Sequence, residues 1–349
     1  MNKQKIAFIL PAINIKAPIK IALSLAQYAT MHFDVAIYYL SIKKSDTNII
    51  EKLHNNNIKI TKLTLYSIFE ISSYDIIHSH CFLPDIINGL LVRNGHKIST
   101  IHCDIKNDMK SSYGPILGSI LSSIWIFSLK KINNHIYLNN FILNKYRSNN
   151  INCKVIHNGI NLVERKLPSD IKERLHGFSK NRVMVGSLGV LREIKGFTTI
   201  LQAAKIDKGN NCYIIVGSGP DKNVYEKYII DNKLEEKILL LGEIENAYML
   251  LKEFDIIVLS SKSEGFPLVA IEALWSGKKI ICTDIPSYQE VFKYADVNYF
   301  PVNDHISLNK EINNKENKNK NKNKNIRLYN KKMTATSMYY NYKKVYEKK

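Results

Sequence analysis

Short apolar runs that end in polar residues alternate with helical patterns from the start of the chain. This alternation constrains the fold more than any other feature. Residues 5–10, 34–40, 59–63, 75–78 and 98–102 read as strands, and residues 19–31, 47–55 and 84–94 read as helices between them. Near-continuous apolar strands separated by helices belong to a parallel sheet covered on both faces. His78 and His102 close two of these strands, and the C-terminal strand edge is where open α/β sheets bind ligands.

The pattern pauses at the turn Asn158-Gly159, crosses a polar, Lys/Arg-rich link over residues 162–181, and restarts. Strands are expected at 182–188, 213–216, 238–241, 256–259 and 279–283, with helices at 197–205, 221–232, 247–253 and 268–276. Two rounds of one grammar predict two doubly wound α/β domains, residues 1–160 and 161–308, with a ligand cleft between them. Residues 309–325 are rich in Asn, Lys and Glu and offer almost nothing apolar to bury, so a flexible linker is expected there. A last helix within 335–349 carries Met338, Tyr342, Val345 and Tyr346 on one face and is expected to pack back on the first domain.

The chain has 50 Lys+Arg against 31 Asp+Glu, a net charge of +19, and residues 310–349 hold 13 of the basic and 3 of the acidic side chains. Such a surface attracts anions. Solvated charge and an anionic membrane face are both open readings; nucleic acid is not expected, since no RNA- or DNA-reading motif is present. Five cysteines without a C-x-x-C pair read as reduced thiols of a cytoplasmic protein. No stretch reads as a signal peptide or is long enough to span a bilayer, so a soluble or peripheral protein is expected. The longest apolar stretch, residues 116–129 closed by Lys130-Lys131, either packs in the first domain's core or faces a membrane.

The chemistry concentrates in Glu264-Gly265-Phe266-Pro267-Leu268-Val269-Ala270-Ile271-Glu272-Ala273-Leu274, which follows the strand expected at 256–259. Pro267 suits the first turn of a helix. The backbone N–H groups of Gly265 to Val269 would then lie at a helix start, where free donors and the helix dipole bind phosphate. Glu272, one turn further in, can accept two hydrogen bonds from a ribose diol, and Glu264 precedes the turn.

This segment resembles the E-x7-E signature of retaining glycosyltransferases of family 4, which have the GT-B fold. The resemblance extends to Gly217-Ser218-Gly219-Pro220 after a strand, to Phe254-Asp255-Ile256-Ile257-Val258-Leu259-Ser260-Ser261, and to Val155-Ile156-His157-Asn158-Gly159-Ile160-Asn161 at the domain joint. It covers the chain to about residue 295 and returns in the last helix. It implies two facing Rossmann-like domains and transfer of a sugar, with retention, from a UDP- or GDP-type donor to a glycan or lipid-linked acceptor in cell-surface polysaccharide assembly. It places Glu264 near the transferred sugar, Glu272 on the ribose and Lys195, in Lys195-Gly196, on the diphosphate. Gly217 and Gly219 join the donor site. Thr100-Ile101-His102 resembles the family's T-x-H, which assigns His102 to the donor sugar, while Asp75-Ile76-Ile77-His78-Ser79-His80 suggests a structural His78 and a cleft residue in His80. No D-x-D motif is present, so neither a metal nor another cofactor is expected.

Three departures weigh against a full match. Ser187 stands where the family often has an Arg, leaving Arg192 as a substitute cation. The loop from Pro11 to Pro18 lacks the family's Gly pair, and Tyr137-Leu138-Asn139-Asn140 replaces a Ser-containing segment. A catalytically impaired nucleotide-sugar-binding protein is the alternative. An NAD-dependent oxidoreductase is disfavoured because Gly217-Ser218-Gly219 lacks the third Gly of G-x-G-x-x-G.

Overall fold

The computed structural model describes residues 3–148, 151–314 and 322–348. The chain divides into two compact units, Met1–Asn161 with Met333–Lys349, and Leu162–Lys332. The first holds β1 (Lys5–Leu10), β2 (Asp34–Tyr39), β3 (Lys59–Lys62), β4 (Ile76–His80), β5 (His96–Ile101), β6 (Asn134–Tyr137) and β7 (Asn152–Val155). These pair in the order β3-β2-β1-β4-β5-β6-β7, all parallel. The second holds β8 (Val183–Leu188), β9 (Asn211–Val216), β10 (Ile238–Gly242), β11 (Ile256–Leu259), β12 (Lys279–Thr283) and β13 (Asn298–Phe300), in the order β10-β9-β8-β11-β12-β13. Each is a doubly wound sheet whose chain direction of travel reverses once, between β1 and β4 and between β8 and β11. Those switch points open a crevice at the strand C-termini.

The first sheet is closed by the last helix, Ala335–Tyr346, which buries Met338, Tyr339, Tyr342, Val345 and Tyr346. It packs on the helix Ala17–Ala29 that follows β1. Its hydroxyls are satisfied inside the unit: Tyr339 by His32 Nδ1 at 2.9 Å, Tyr346 by His78 Nδ1 at 2.9 Å, and Tyr342 by Thr100 Oγ1 at 3.1 Å. Gly159 makes the docking possible, since a Cβ there would meet the Thr334 carbonyl oxygen at 2.2 Å.

Two stretches expected to be irregular are helical. The link over 162–181 contains the helix Ser169–Ser179, which buries Ile171 and Leu175 four residues apart. The described part of the expected linker over 309–325 is helical as well: His305–Asn313 buries Leu308 and Ile312, and a further helix spans Lys322–Lys332. Asn residues that suggested low complexity make specific contacts. Asn313 Nδ2 donates to Asp207 at 2.9 Å, and the fully buried Asn325 bonds both the N–H and the carbonyl of Asp296, at 2.8 and 3.0 Å. The second unit therefore runs to Lys332 rather than 308, and only residues 315–321 of the expected linker fall outside the described residues.

The first unit also holds a buried carboxyl. Asp85 accepts hydrogen bonds from Ser79 Oγ (2.6 Å) and Ser99 Oγ (2.8 Å) on Oδ1, and from Trp125 Nε1 (2.8 Å) on Oδ2. Burial pushes its carboxyl up to about 7. The contacts pin the helix Pro115–Leu129 to β4 and β5. Trp125→Phe removes the one donor to Oδ2 and is expected to lower the unfolding free energy by roughly 1–3 kcal/mol, read by denaturant titration. A change within error would show that the indole bond anchors nothing.

Candidate functional site

In the second unit the strand β11 delivers the chain to Ser260, Ser261 and Glu264, and the helix Leu268–Ser276 follows. The helix starts where expected, and Pro267 is its N-cap, with extended backbone. With no side-chain cap, the N–H groups of Leu268 and Val269 have no intrahelical acceptor. Glu272 lies one turn in and is half-buried; Phe266 is buried and Gly265 half-buried.

Glu264 Oε1 accepts hydrogen bonds from Lys195 Nζ at 2.5 Å and Ser261 Oγ at 2.7 Å. Both partners are largely shielded, so this ion pair is screened less than a surface one. The backbone holds the pair in place: Ser260 Oγ donates to the Lys195 carbonyl at 2.8 Å, and Thr283 Oγ1 to the Ser261 carbonyl at 2.6 Å. Tyr288 is buried nearby, its hydroxyl pushed well up by burial and then by the Glu264 carboxylate. Ser261 and Tyr288 escaped sequence reasoning. Ser261 read only as part of a polar link, and Tyr288 becomes a neighbour only through the helix Pro286–Val291.

The remaining second-unit candidates separate. Arg192 is exposed, and among the described residues its guanidinium makes no hydrogen bond or ion pair. Ser187 is buried and donates to the Val258 carbonyl at 2.7 Å. Gly217 and Gly219 serve close packing: a Cβ on Gly217 would lie 2.0 Å from the Gly189 carbonyl oxygen, and one on Gly219 2.4 Å from that of Leu191. This accounts for both glycines without a ligand. Among the described residues no group of three or more His, Cys, Asp and Glu could hold a metal ion.

In the first unit three histidines lie side by side where β4 and β5 end. His78 is fully buried, bonded on its second nitrogen to Thr100 Oγ1 at 2.8 Å, and is structural. His80 is fully buried too, which corrects its reading as a cleft residue; its Nδ1 instead meets His102 Nε2 at 2.9 Å. His102 alone of the three is part-exposed. Burial holds all three imidazoles below their ordinary range, His78 at about 3, His102 at about 4 and His80 well below it, so they are neutral near pH 7. A single proton shared across the His80–His102 contact fixes the orientation of the His102 ring.

Comparison with known proteins agrees with this layout. Residues 169–333, nearly the whole second unit, match the family described as Glycosyl transferases group 1. The chain is 24% identical to the O-antigen biosynthesis glycosyltransferase WclY of Escherichia coli, over 98% of both chains. It is 27% identical to the UDP-Gal:alpha-D-GlcNAc-diphosphoundecaprenol alpha-1,3-galactosyltransferase of the same organism, over 64% of this chain and 61% of that one. Among solved structures it resembles Anabaena Alr3699/HepE in complex with UDP, at a TM-score of 0.79 and 15% identity over 98% and 99% of the two chains. It also resembles the sucrose-phosphate synthase of Thermosynechococcus elongatus, at 0.81 and 16% over 99% and 98%. The fold is GT-B, and these matches support a GT-B glycosyltransferase.

The neutral histidines set a pH dependence. A His102 pKa below its unfolded value means that the unfolded chain binds the proton first as pH falls. The His102 contribution to stability is therefore complete above about 6.5 and is lost as pH falls toward about 4. Asp85, with its raised pKa, acts oppositely, its contribution being lost as pH rises through about 7. The comparison must therefore be between variants. The melting temperature of the wild type relative to His102→Gln is expected to drop between pH 7.5 and 4.5; a pH-independent difference would place His102 in water.

Proposed function

We propose that this chain is a retaining glycosyltransferase that moves a sugar from a nucleoside-diphosphate sugar to a glycan or lipid-linked acceptor in cell-surface polysaccharide assembly. The observation that carries the reading is the shielded Lys195–Glu264 pair beside the uncapped start of the helix Leu268–Ser276. A cation and free backbone donors meet there, which suits a diphosphate, with a carboxylate placed for sugar hydroxyls. Further support comes from the group 1 match over residues 169–333, and from relatives whose names specify a UDP-sugar and a diphosphoundecaprenol acceptor.

In this reading the diphosphate competes with Glu264 for Lys195. Once released, Glu264 accepts hydrogen bonds from the sugar, while Leu268 and Val269 donate N–H groups to phosphate oxygens. Gly265, Phe266 and Pro267 shape the approach to those donors, and Glu272 accepts from the ribose. As the glycosidic bond breaks, the leaving diphosphate gains charge, which Lys195 stabilises more than in the ground state. The leaving phosphate takes the acceptor proton on the face it departs from, which retains configuration. His102, neutral and oriented by His80, serves as a hydrogen-bonding residue to the sugar rather than as a base; Arg192 assists the diphosphate only by movement of its exposed side chain. The enzyme works at an anionic membrane surface, on the cytoplasmic side.

Glu272→Ala is expected to weaken UDP binding in calorimetry by about 1.5–3 kcal/mol, the loss of a charged hydrogen-bond acceptor. Lys195→Ala is expected to lower kcat roughly a hundredfold with a smaller effect on donor affinity. Wild-type turnover in the lysine variant would reduce Lys195 to a structural partner of Glu264. Because Lys195 and backbone donors neutralise the diphosphate, sugar transfer is expected to persist in EDTA; loss on chelation with recovery in Mg²⁺ or Mn²⁺ would reveal a required ion.

A further inference from the structure

The helix Pro115–Leu129 is turned inside out relative to a surface helix of a soluble domain. It buries Gly118, Ser122, Trp125, Ser128 and Leu129. It exposes Ile116, Leu117, Ile120, Ile124 and Phe127, which are between 41% and 79% accessible. An amphipathic helix ordinarily does the reverse. The inversion is built in by close packing of the small residues. A Cβ on Gly118 would lie 2.5 Å from the Met109 carbonyl oxygen, and one on Gly89 would lie 2.3 Å from that of Ser128. The buried Asp85 clamps the inner face through Trp125.

Two neighbouring helical segments follow the same rule. The run Phe82–Ile86 and the wider turn Ile87–Leu91 bury Asp85, Asn88 and Gly89, with Pro84 and Ile87, while exposing Leu83, Leu90 and Leu91. Phe82 packs on Trp125 with ring centroids 5.4 Å apart. On the other side, the helix Leu65–Ile71 buries Ser67 and Ile71 and exposes Leu65, Tyr66 and Phe69, each at least 69% accessible. Ile71, Ile87 and Val92 share one core cluster, and the Arg93 N–H donates to Ser72 Oγ, so these segments lie side by side. Across these adjacent elements the outer face is made of large apolar side chains, while the inner face mixes polar and small ones with Ile71, Ile87, Trp125 and Leu129. A patch of this extent marks an interaction site.

Charge identifies the occupant. The helix Pro115–Leu129 carries no charged side chain; on the other segments, Asp85 is fully buried and Glu70 is ion-paired with Lys59. Lys130 and Lys131 stand exposed at its C-terminal end, and Lys106 and Lys110, with the one acid Asp108 between them, on the packed helix Ile105–Tyr113. Two copies meeting through this face would bring like charges together. An apolar face fringed by lysines instead fits acyl chains under anionic headgroups. No helix among the described residues is long and apolar enough to cross a membrane, so attachment would be from one side.

We propose that the three adjacent segments of the first unit form a docking face for an anionic lipid bilayer, inserted through Ile120, Ile124 and Phe127. Only its purpose, access to a lipid-linked acceptor, rests on the proposed glycosyl transfer; the binding does not. The test is co-sedimentation of the full chain with phosphatidylcholine vesicles, with and without phosphatidylglycerol, at low and high salt. Binding to the anionic vesicles is expected, weakened but not abolished by salt, since screening acts on the lysines and little on apolar insertion. Ile120→Ser/Ile124→Ser/Phe127→Ser is expected to lower the partition coefficient by roughly tenfold or more at an unchanged melting temperature, and Lys130→Gln/Lys131→Gln to remove the salt-sensitive part. No binding to anionic vesicles at low salt would overturn the proposal. So would a wild-type dimer in sedimentation equilibrium that the triple serine variant dissolves while vesicle binding stays the same. Vesicle binding without any donor turnover would leave the docking face standing and remove the enzymatic reading instead.

Discussion

The first sheet is not finished until the end of the chain supplies two phenol groups. His78 on β4 and Thr100 on β5 are fully buried, and their polar atoms find partners in Tyr346 and Tyr342. Without the Tyr346 hydroxyl, His78 Nδ1 would be an unpaired polar atom out of water, at a cost of about 1–3 kcal/mol, and without that of Tyr342, Thr100 would keep only its bond to His78. The chain must therefore build the whole second unit and then come back, and Gly159 and Met333 form the seam, with the Ile160 N–H donating to the Met333 carbonyl at 3.0 Å. The orientation of the His102 ring is the last link of that chain of contacts, passing from His78 through its ring neighbour His80.

The second unit uses its sheet differently. Its strands and helices are packed to hold a loop, not a side-chain network. Ser260 fixes the backbone at Lys195 and Thr283 fixes it at Ser261, and between these anchors the Glu264 carboxylate meets Lys195. The glycines of the β9 loop, Gly217 and Gly219, let the loop after β8 approach.

Polar interiors and apolar exteriors on the helices beside β4 and β5 are the clearest conflict with soluble-domain patterning. Asp85 makes the conflict stable. Buried without partners it would be prohibitive; with two serines and an indole it becomes a clamp that leaves isoleucines outside. The fold spends its polar residues where a core would normally use leucine, and the surface inherits the leucine.

The alternation of apolar strands and helices was enough to read both sheets, since period and length are local properties of a sequence. Glu264, Glu272 and Lys195 were singled out by the resemblance of their segments to a known family, and the structure brings Lys195 and Glu264 together. What was misread depended on partners far away in the chain. The Asn-rich stretch after residue 308 looked structureless, yet Asn313 and Asn325 find Asp207 and Asp296 and the helices around them hold. Ser187 read only as a missing cation, and its bond to the Val258 carbonyl on β11 is a contact between strands far apart in the chain. Residues 116–129 are equally apolar on paper whether they face a core or a membrane. Only the close approach of Gly89 and Gly118 to their neighbours' backbones decided which side faces out, because contact distances between distant segments are set by tertiary packing and leave no periodic trace in the sequence.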